Sequence, residues 1–253
     1  RDKLAMIPNG INLPPPGKGE AGLRDKFAAP DEKIILYVGR LVPEKGVGVL
    51  LEAMPQVLAA HPEAKLVIVG SGYAQEDFKR QAEGLNLGSK VYFTGFISDQ
   101  ERDLLYRAAA VAVFPSLYEP FGIVALEGMS FARPTIVGRT GGLAEIVDGT
   151  NGLLAEPGNA GDLASKINWV LDDPERAESL GKAGLATCRK YSWQRIADRT
   201  ISLYQEVLSE FETSPWPTAE EYWQLDETIQ RIDRLFSTAL HHRYQQTHKG
   251  GVM

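Results

Sequence analysis

Two glutamates, Glu119 and Glu127, bracket the run from Pro120 to Leu126, and two cations, Arg40 and Lys45, stand five residues apart just after Gly39. Arginine offers a planar fork of donors and lysine a flexible point charge, so together they suit a diphosphate. Carboxylates are poor neighbours for phosphate, because like charges repel strongly where water is scarce. Their fitting partners are hydroxyls, above all a vicinal diol that donates to both oxygens. A sugar at one end of a diphosphate and a ribose at the other would account for both acids. Each group also has a plainer reading: Arg40 paired with Glu44 in a solvated loop, Glu119 as an acid at a helix start, Glu127 as a surface residue.

Such residues need a frame to bring them together. Ile34–Val38, Lys65–Val69, Val91–Phe93, Val111–Phe114 and Pro134–Val137 are short apolar runs, mostly β-branched or aromatic, which predicts five strands buried on both faces. Helical patterns lie between them, at Val49–Leu58, Phe78–Leu85, Leu104–Ala109 and Val124–Phe131. This alternation predicts an α/β fold: a doubly wound parallel sheet covered by helices on both sides, with right-handed crossovers. In such sheets ligands bind outside the carboxyl ends of the strands, so the residue after each strand matters most.

Gly39-Arg40 comes directly after the first of these strands, and Glu44-Lys45-Gly46 closes the same loop. Gly70-Ser71-Gly72 comes after the second, where Gly70 and Gly72 either let the backbone approach a ligand or make a tight turn. Phe96 and Ile97 come after the third; Phe96 either flanks a nucleobase or closes the core. After the fourth, Pro120 and Gly122 set a turn that aims the backbone N–H groups of Phe121, Gly122 and Ile123 outward at a helix N-terminus, a natural anion site. Glu127 would lie about one and a half turns into that helix, facing the same crevice. After the fifth, Thr140-Gly141-Gly142 precedes a short helix and again offers amides, unless it is only a connector.

Composition narrows the classes. With 253 residues, 43% hydrophobic, the chain can bury one substantial core plus an appendage. A net charge of -6 argues against a nucleic-acid partner, which would meet a basic face. The single cysteine, Cys188, excludes an intrachain disulfide and a cysteine-rich zinc site, and suits a cytoplasmic location. No apolar run approaches the roughly 20 residues of a transmembrane helix, and no secretory leader is evident. Residues 1–33 read as a strand and turn (Met6–Asn12) and then a Pro- and Gly-rich linker, with the core beginning after it. Residues 34–210 are expected to form the doubly wound domain, and 211–253 a helical C-terminal extension. Beyond Asn151 the pattern is helical, near 160–171, 174–190 and 193–210; after Pro215-Trp216-Pro217, Thr218 and Glu221 in capping-box spacing open a last helix with an apolar stripe. The start at Arg1 suggests a piece of a longer protein.

In this order the motifs resemble the C-terminal domain of the retaining GT-B glycosyltransferases often called family 4, which include sucrose-phosphate synthases. The resemblance runs from Ile7–Asn12 through Gly39-Arg40, Glu44–Gly46, the Glu119–Glu127 stretch and Thr140–Gly142 to Tyr191-Ser192-Trp193. It implies a Rossmann-like domain that binds a nucleotide-diphosphate sugar and serves transfer of a hexose-type sugar with retention. Arg40 and Lys45 would hold the diphosphate, Glu119 the transferred sugar and Glu127 the ribose. Backbone at Phe121, Gly122 and Ile123 would meet phosphate and sugar, and Phe96 and Ile97 the base. No metal or other cofactor is expected, since two cations and a helix N-terminus supply the positive charge. The family's N-terminal acceptor-binding domain would be a needed partner, and the chain would not turn over without it. Peripheral membrane association through that domain, and oligomerisation through the 218–243 helix, are left open. Two other classes compete: a non-catalytic nucleotide-sugar-binding module, and a nucleotide-sugar epimerase of the same fold. A dehydrogenase fits poorly, because Gly70-Ser71-Gly72 lacks the third glycine of the dinucleotide fingerprint.

Overall fold

The structure, a computed structural model, describes residues 4–15, 24–213 and 230, 231 and 234. Strands and helices alternate along the chain: β1 (Lys33–Val38), α1 (Val47–Ala60), β2 (Ala64–Val69), α2 (Gln75–Gly84), β3 (Val91–Gly95), α3 (Asp99–Ala108) and β4 (Val111–Phe114). Next come α4 (Ile123–Ser130), β5 (Thr135–Gly138), α5 (Gly141–Ile146), β6 (Leu153–Ala155), α6 (Ala160–Leu171), α7 (Pro174–Cys188) and α8 (Trp193–Thr213).

The strands make one parallel sheet in the order β3-β2-β1-β4-β5-β6. Alternate residues of each strand face opposite cores. Ile35, Tyr37, Leu66, Ile68, Val111 and Val113 pack on one side, and Ile34, Leu36, Val67, Val69, Ala112 and Phe114 on the other. Two buried faces explain why the strands read as continuous apolar runs and not as alternating ones. Helices α1 and α6 pack together, as do α4 and α7. The chain winds outward from β1 to β3, then returns to place β4 beside β1 and winds the other way. The carboxyl ends of β1 and β4 thus flank the point where strand order reverses, the place where doubly wound sheets bind ligands.

Three expectations need correction. The sheet has a sixth strand, β6, paired with β5; three residues at a sheet edge carry too little pattern to be read as a strand. The core does not begin after residue 33: Phe27 and Ala28 are buried, and Phe27 packs edge-on against Tyr92. An isolated apolar residue in a Pro- and Gly-rich stretch has no period to betray it. Met6–Asn12 forms only a single bridge, between Ile11 and Ser192. There the Ile11 amide donates to the Tyr191 carbonyl (2.8 Å), and Gly10 lies so close to the Trp193 ring that a Cβ would sit 2.5 Å from it.

The chain divides into two compact units, Arg1–Ile201 and Ser202–Met253, with the division inside α8. The last helix expected from Thr218 lies outside the described residues apart from Gln230, Arg231 and Arg234, which are helical.

Candidate functional site at the β1–β4 switch point

Two loops after neighbouring strands build the site, and their backbones are stitched together. The Glu44 carbonyl, in the loop after β1, accepts from the amides of Leu117 (2.8 Å) and Tyr118 (3.2 Å), in the loop after β4. Gly46 makes the close approach possible. Its φ is +71°, and a Cβ there would lie 1.9 Å from the Pro115 carbonyl oxygen. The loop after β5 clamps the other side. The Gly142 amide donates to the Glu119 carbonyl (2.9 Å), and a Cβ on Gly141, whose φ is +44°, would meet that oxygen at 2.2 Å.

This stitching brings Lys45 to Glu119 across 74 residues of sequence. Lys45 Nζ lies 2.7 Å from Glu119 Oε2, with the two side chains 16% and 9% exposed. A pair so withdrawn from water interacts more strongly than a surface pair, and each charge depends on the other. A cleft of about 260 Å³ opens above it, lined by Gly39, Arg40, Lys45, Glu119, Phe121 and Ile123 together with Tyr37 and Ser116. Arg40 stands exposed at this cleft. Its backbone is fixed from below, because the Tyr37 hydroxyl donates to the Arg40 carbonyl (2.9 Å). Burial pushes the Tyr37 hydroxyl's pKa well up, so this donor keeps its proton.

Helix α4 starts beside the cleft from Gly122, held at φ +78°, a left-handed geometry that glycine adopts without strain. In its first turn the Ala125 amide donates to the Gly122 carbonyl (3.0 Å), while the Ile123 and Val124 amides have no partner within the helix and are available to an anion. The amides after β5 are already engaged in part: Gly142 donates to Glu119, and Leu143 to Thr140. Thr140-Gly141-Gly142 therefore positions the Glu119 loop instead of presenting a free set of donors.

The remaining expected residues are placed differently. Glu127 is not in the lining of the cleft; it lies one turn beyond Ile123 on the same face of α4. Its Oε2 accepts from the Tyr106 hydroxyl of α3 (3.0 Å). Burial raises the Glu127 pKa, while the Tyr106 bond and nearby Arg102 pull it back. Gly70 and Gly72 are needed for packing: a Cβ on either would meet the carbonyl of Gly39 or Leu41 at 2.0 or 2.2 Å, so they let the loop after β2 lie against the loop after β1. Phe96 does not close the core; it is 89% exposed after edge strand β3, and Ile97 packs against the core from the same segment. Three contributors escaped the sequence reading. Tyr37 and Tyr106 sit in patterns that look like ordinary core, and Ser116 looks like a loop residue.

A doubly wound parallel sheet with cations, a carboxylate and a helix start gathered at its switch point is the Rossmann-like α/β arrangement that GT-B folds contain. Residues 21–187 match the family model of glycosyl transferases group 1, and the chain belongs to that family. An uncharacterized glycosyltransferase of Methanocaldococcus jannaschii is 39% identical over 215 residues, 81% of this chain and 54% of that protein. Among solved structures, sucrose-phosphate synthase from Thermosynechococcus elongatus superposes with a TM-score of 0.69 at 37% identity, over 80% of this chain and 52% of that one. The Anabaena protein HepE, solved with UDP and glucose, gives a TM-score of 0.67 at 26% identity, over 73% of this chain and 51% of that one. The chain thus spans about half the length of these relatives. No helix among the described residues is long and apolar enough to cross a membrane.

Proposed function

We propose that this chain is the donor-binding half of a retaining glycosyltransferase that uses a nucleoside-diphosphate sugar carrying a hexose-type sugar. The observation that carries the reading is the meeting of Arg40 and Lys45 with Glu119 in one cleft at the β1–β4 switch point. In this reading Arg40, Lys45 and the α4 N-terminus hold the diphosphate. When the bond from the sugar's anomeric carbon to the diphosphate oxygen breaks, its electron pair leaves with the diphosphate. The two cations stabilise that developing charge, which is the main catalytic service of this half and requires no divalent metal. Glu119 accepts hydrogen bonds from hydroxyls of the transferred sugar, and Glu127 from the ribose diol. Phe96, exposed beside the carboxyl edge, offers a face to the base.

The acceptor is bound elsewhere in the whole protein, consistent with the half-length match to relatives. The chain by itself then binds donor without turning it over. A non-catalytic module would use the same cleft, and only turnover by the whole protein separates the two. The direct test of the cleft is calorimetry of the 253-residue chain with UDP, GDP and ADP, each with and without a chelator. One of them should bind, with unchanged affinity under chelation. If none binds, the donor-site reading fails; if binding needs added magnesium, its metal-free form fails.

A further inference from the structure

Tyr106 is fully buried in α3, yet its hydroxyl is directed at a carboxylate on another helix: it donates to Glu127 Oε2 at 3.0 Å. The ring is locked in place. It stacks on Phe131 with centroids 5.0 Å apart and planes within 8°, and the Arg107 guanidinium lies 5.0 Å from the same Phe131 ring. Burial keeps this phenol protonated, so it remains a donor across the ordinary pH range. One turn earlier on α3, Arg102 is tied to Asp99 (2.7 Å) and Asp103 (2.9 Å) and so does not neutralise Glu127 directly. The strongest fixed partner of the Glu127 carboxylate is therefore a neutral hydroxyl.

That choice has a chemical consequence. A lysine or arginine on Glu127 would neutralise the carboxylate, as Lys45 does for Glu119. A phenol takes one lone pair, leaves the charge intact and fixes the plane of the group. The remaining lone pairs are then presented in one orientation from the α4 face that also carries Ile123, which lines the cleft. We propose that Tyr106 is the positioning residue for Glu127, orienting its carboxylate for the ribose diol of the donor. This rests on the reading of the cleft as a nucleoside-diphosphate-sugar site.

The experiment is calorimetry of the 253-residue chain and its Tyr106→Phe and Glu127→Ala variants with UDP, GDP and ADP, each against its 2′-deoxy counterpart. The unaltered chain should prefer the ribonucleotide by about tenfold, the size of a hydrogen bond to a charged group. Glu127→Ala should abolish that preference. Tyr106→Phe should reduce it severalfold while leaving affinity for the 2′-deoxy nucleotide unchanged, which also reports that the cleft is still folded. If Glu127→Ala keeps the full preference, the ribose reading of Glu127 fails and the proposal with it. If Glu127→Ala loses it and Tyr106→Phe keeps it, the ribose reading stands and the proposal is overturned. Equal losses for both nucleotides in Tyr106→Phe would make Tyr106 only a packing residue, and would also overturn it.

Discussion

The two glutamates of the Glu119–Glu127 stretch are the same residue eight positions apart, yet the loop and the helix give them opposite surroundings. Glu119 is 7% exposed and paired with a cation from the neighbouring strand's loop. Glu127 is held by a phenol that carries no charge. The first carboxylate is locked in an ion pair that a phosphate would have to share, and the second keeps its charge for a neutral ligand. Residue type states what chemistry is available; the partner decides which part of it is used.

The largest way to break this contrast is to remove the cation. Lys45→Ala leaves Glu119 withdrawn from water without a counter-charge and should destabilise the fold by about 3–5 kcal/mol, read by urea denaturation. Lys45→Met combined with Glu119→Leu should recover most of that loss. A single-variant loss under about 1 kcal/mol would mean that the pair behaves as a surface pair.

Next in size is the backbone that joins the two loops. Gly46→Ala places a Cβ in a left-handed conformation and against the Pro115 carbonyl, and should cost roughly 2–3 kcal/mol together with nucleotide affinity. Gly84→Ala, at the end of α2 where a Cβ meets nothing within 4 Å, should instead stabilise by about 0.4–1 kcal/mol. If both variants melt alike, the close approach at Gly46 is not what holds the loops together.

The smallest effect sharpens the other side. Burial raises the Glu127 pKa above its ordinary 4.5; Tyr106 and Arg102 favour the anion, while Asp103 and Asp99 disfavour it. The folded state therefore binds the proton more tightly than the unfolded chain. Stability from this group is present below pH 4.5 and is lost as pH rises through the raised value. Glu127→Gln should remove that slope, gaining on the unaltered chain between acid and neutral pH in urea midpoints. A parallel pH profile for both proteins would show that Glu127 ionises as it does in water.

Much of the frame was legible because it is local. Ile34–Val38 and Lys65–Val69 read as strands from their largely apolar character, and Arg40, Lys45 and Glu119 stand in the loops after β1 and β4. Other features had no local signal. Leu153–Ala155 is too short to show a period, and Phe27 and Ala28 follow a charged run without a repeating apolar pattern. Gly141 and Gly142 read as amide donors, while their tighter constraint is the Glu119 backbone lying across them. Tyr106 looks like one more apolar position of α3, because its partner is on another helix.

By itself the sequence determined which elements form and which charged groups stand at their ends, since helix and strand periods and turn chemistry act over a few residues. Only the tertiary structure decided that β4 lies beside β1, that Lys45 and Glu119 share a space nearly closed to water, and that Glu127 faces a phenol. The physical reason is range. Periodicity encodes which side of an element is buried, but the pairing of charges depends on which elements become neighbours, and that is settled by packing of the whole sheet.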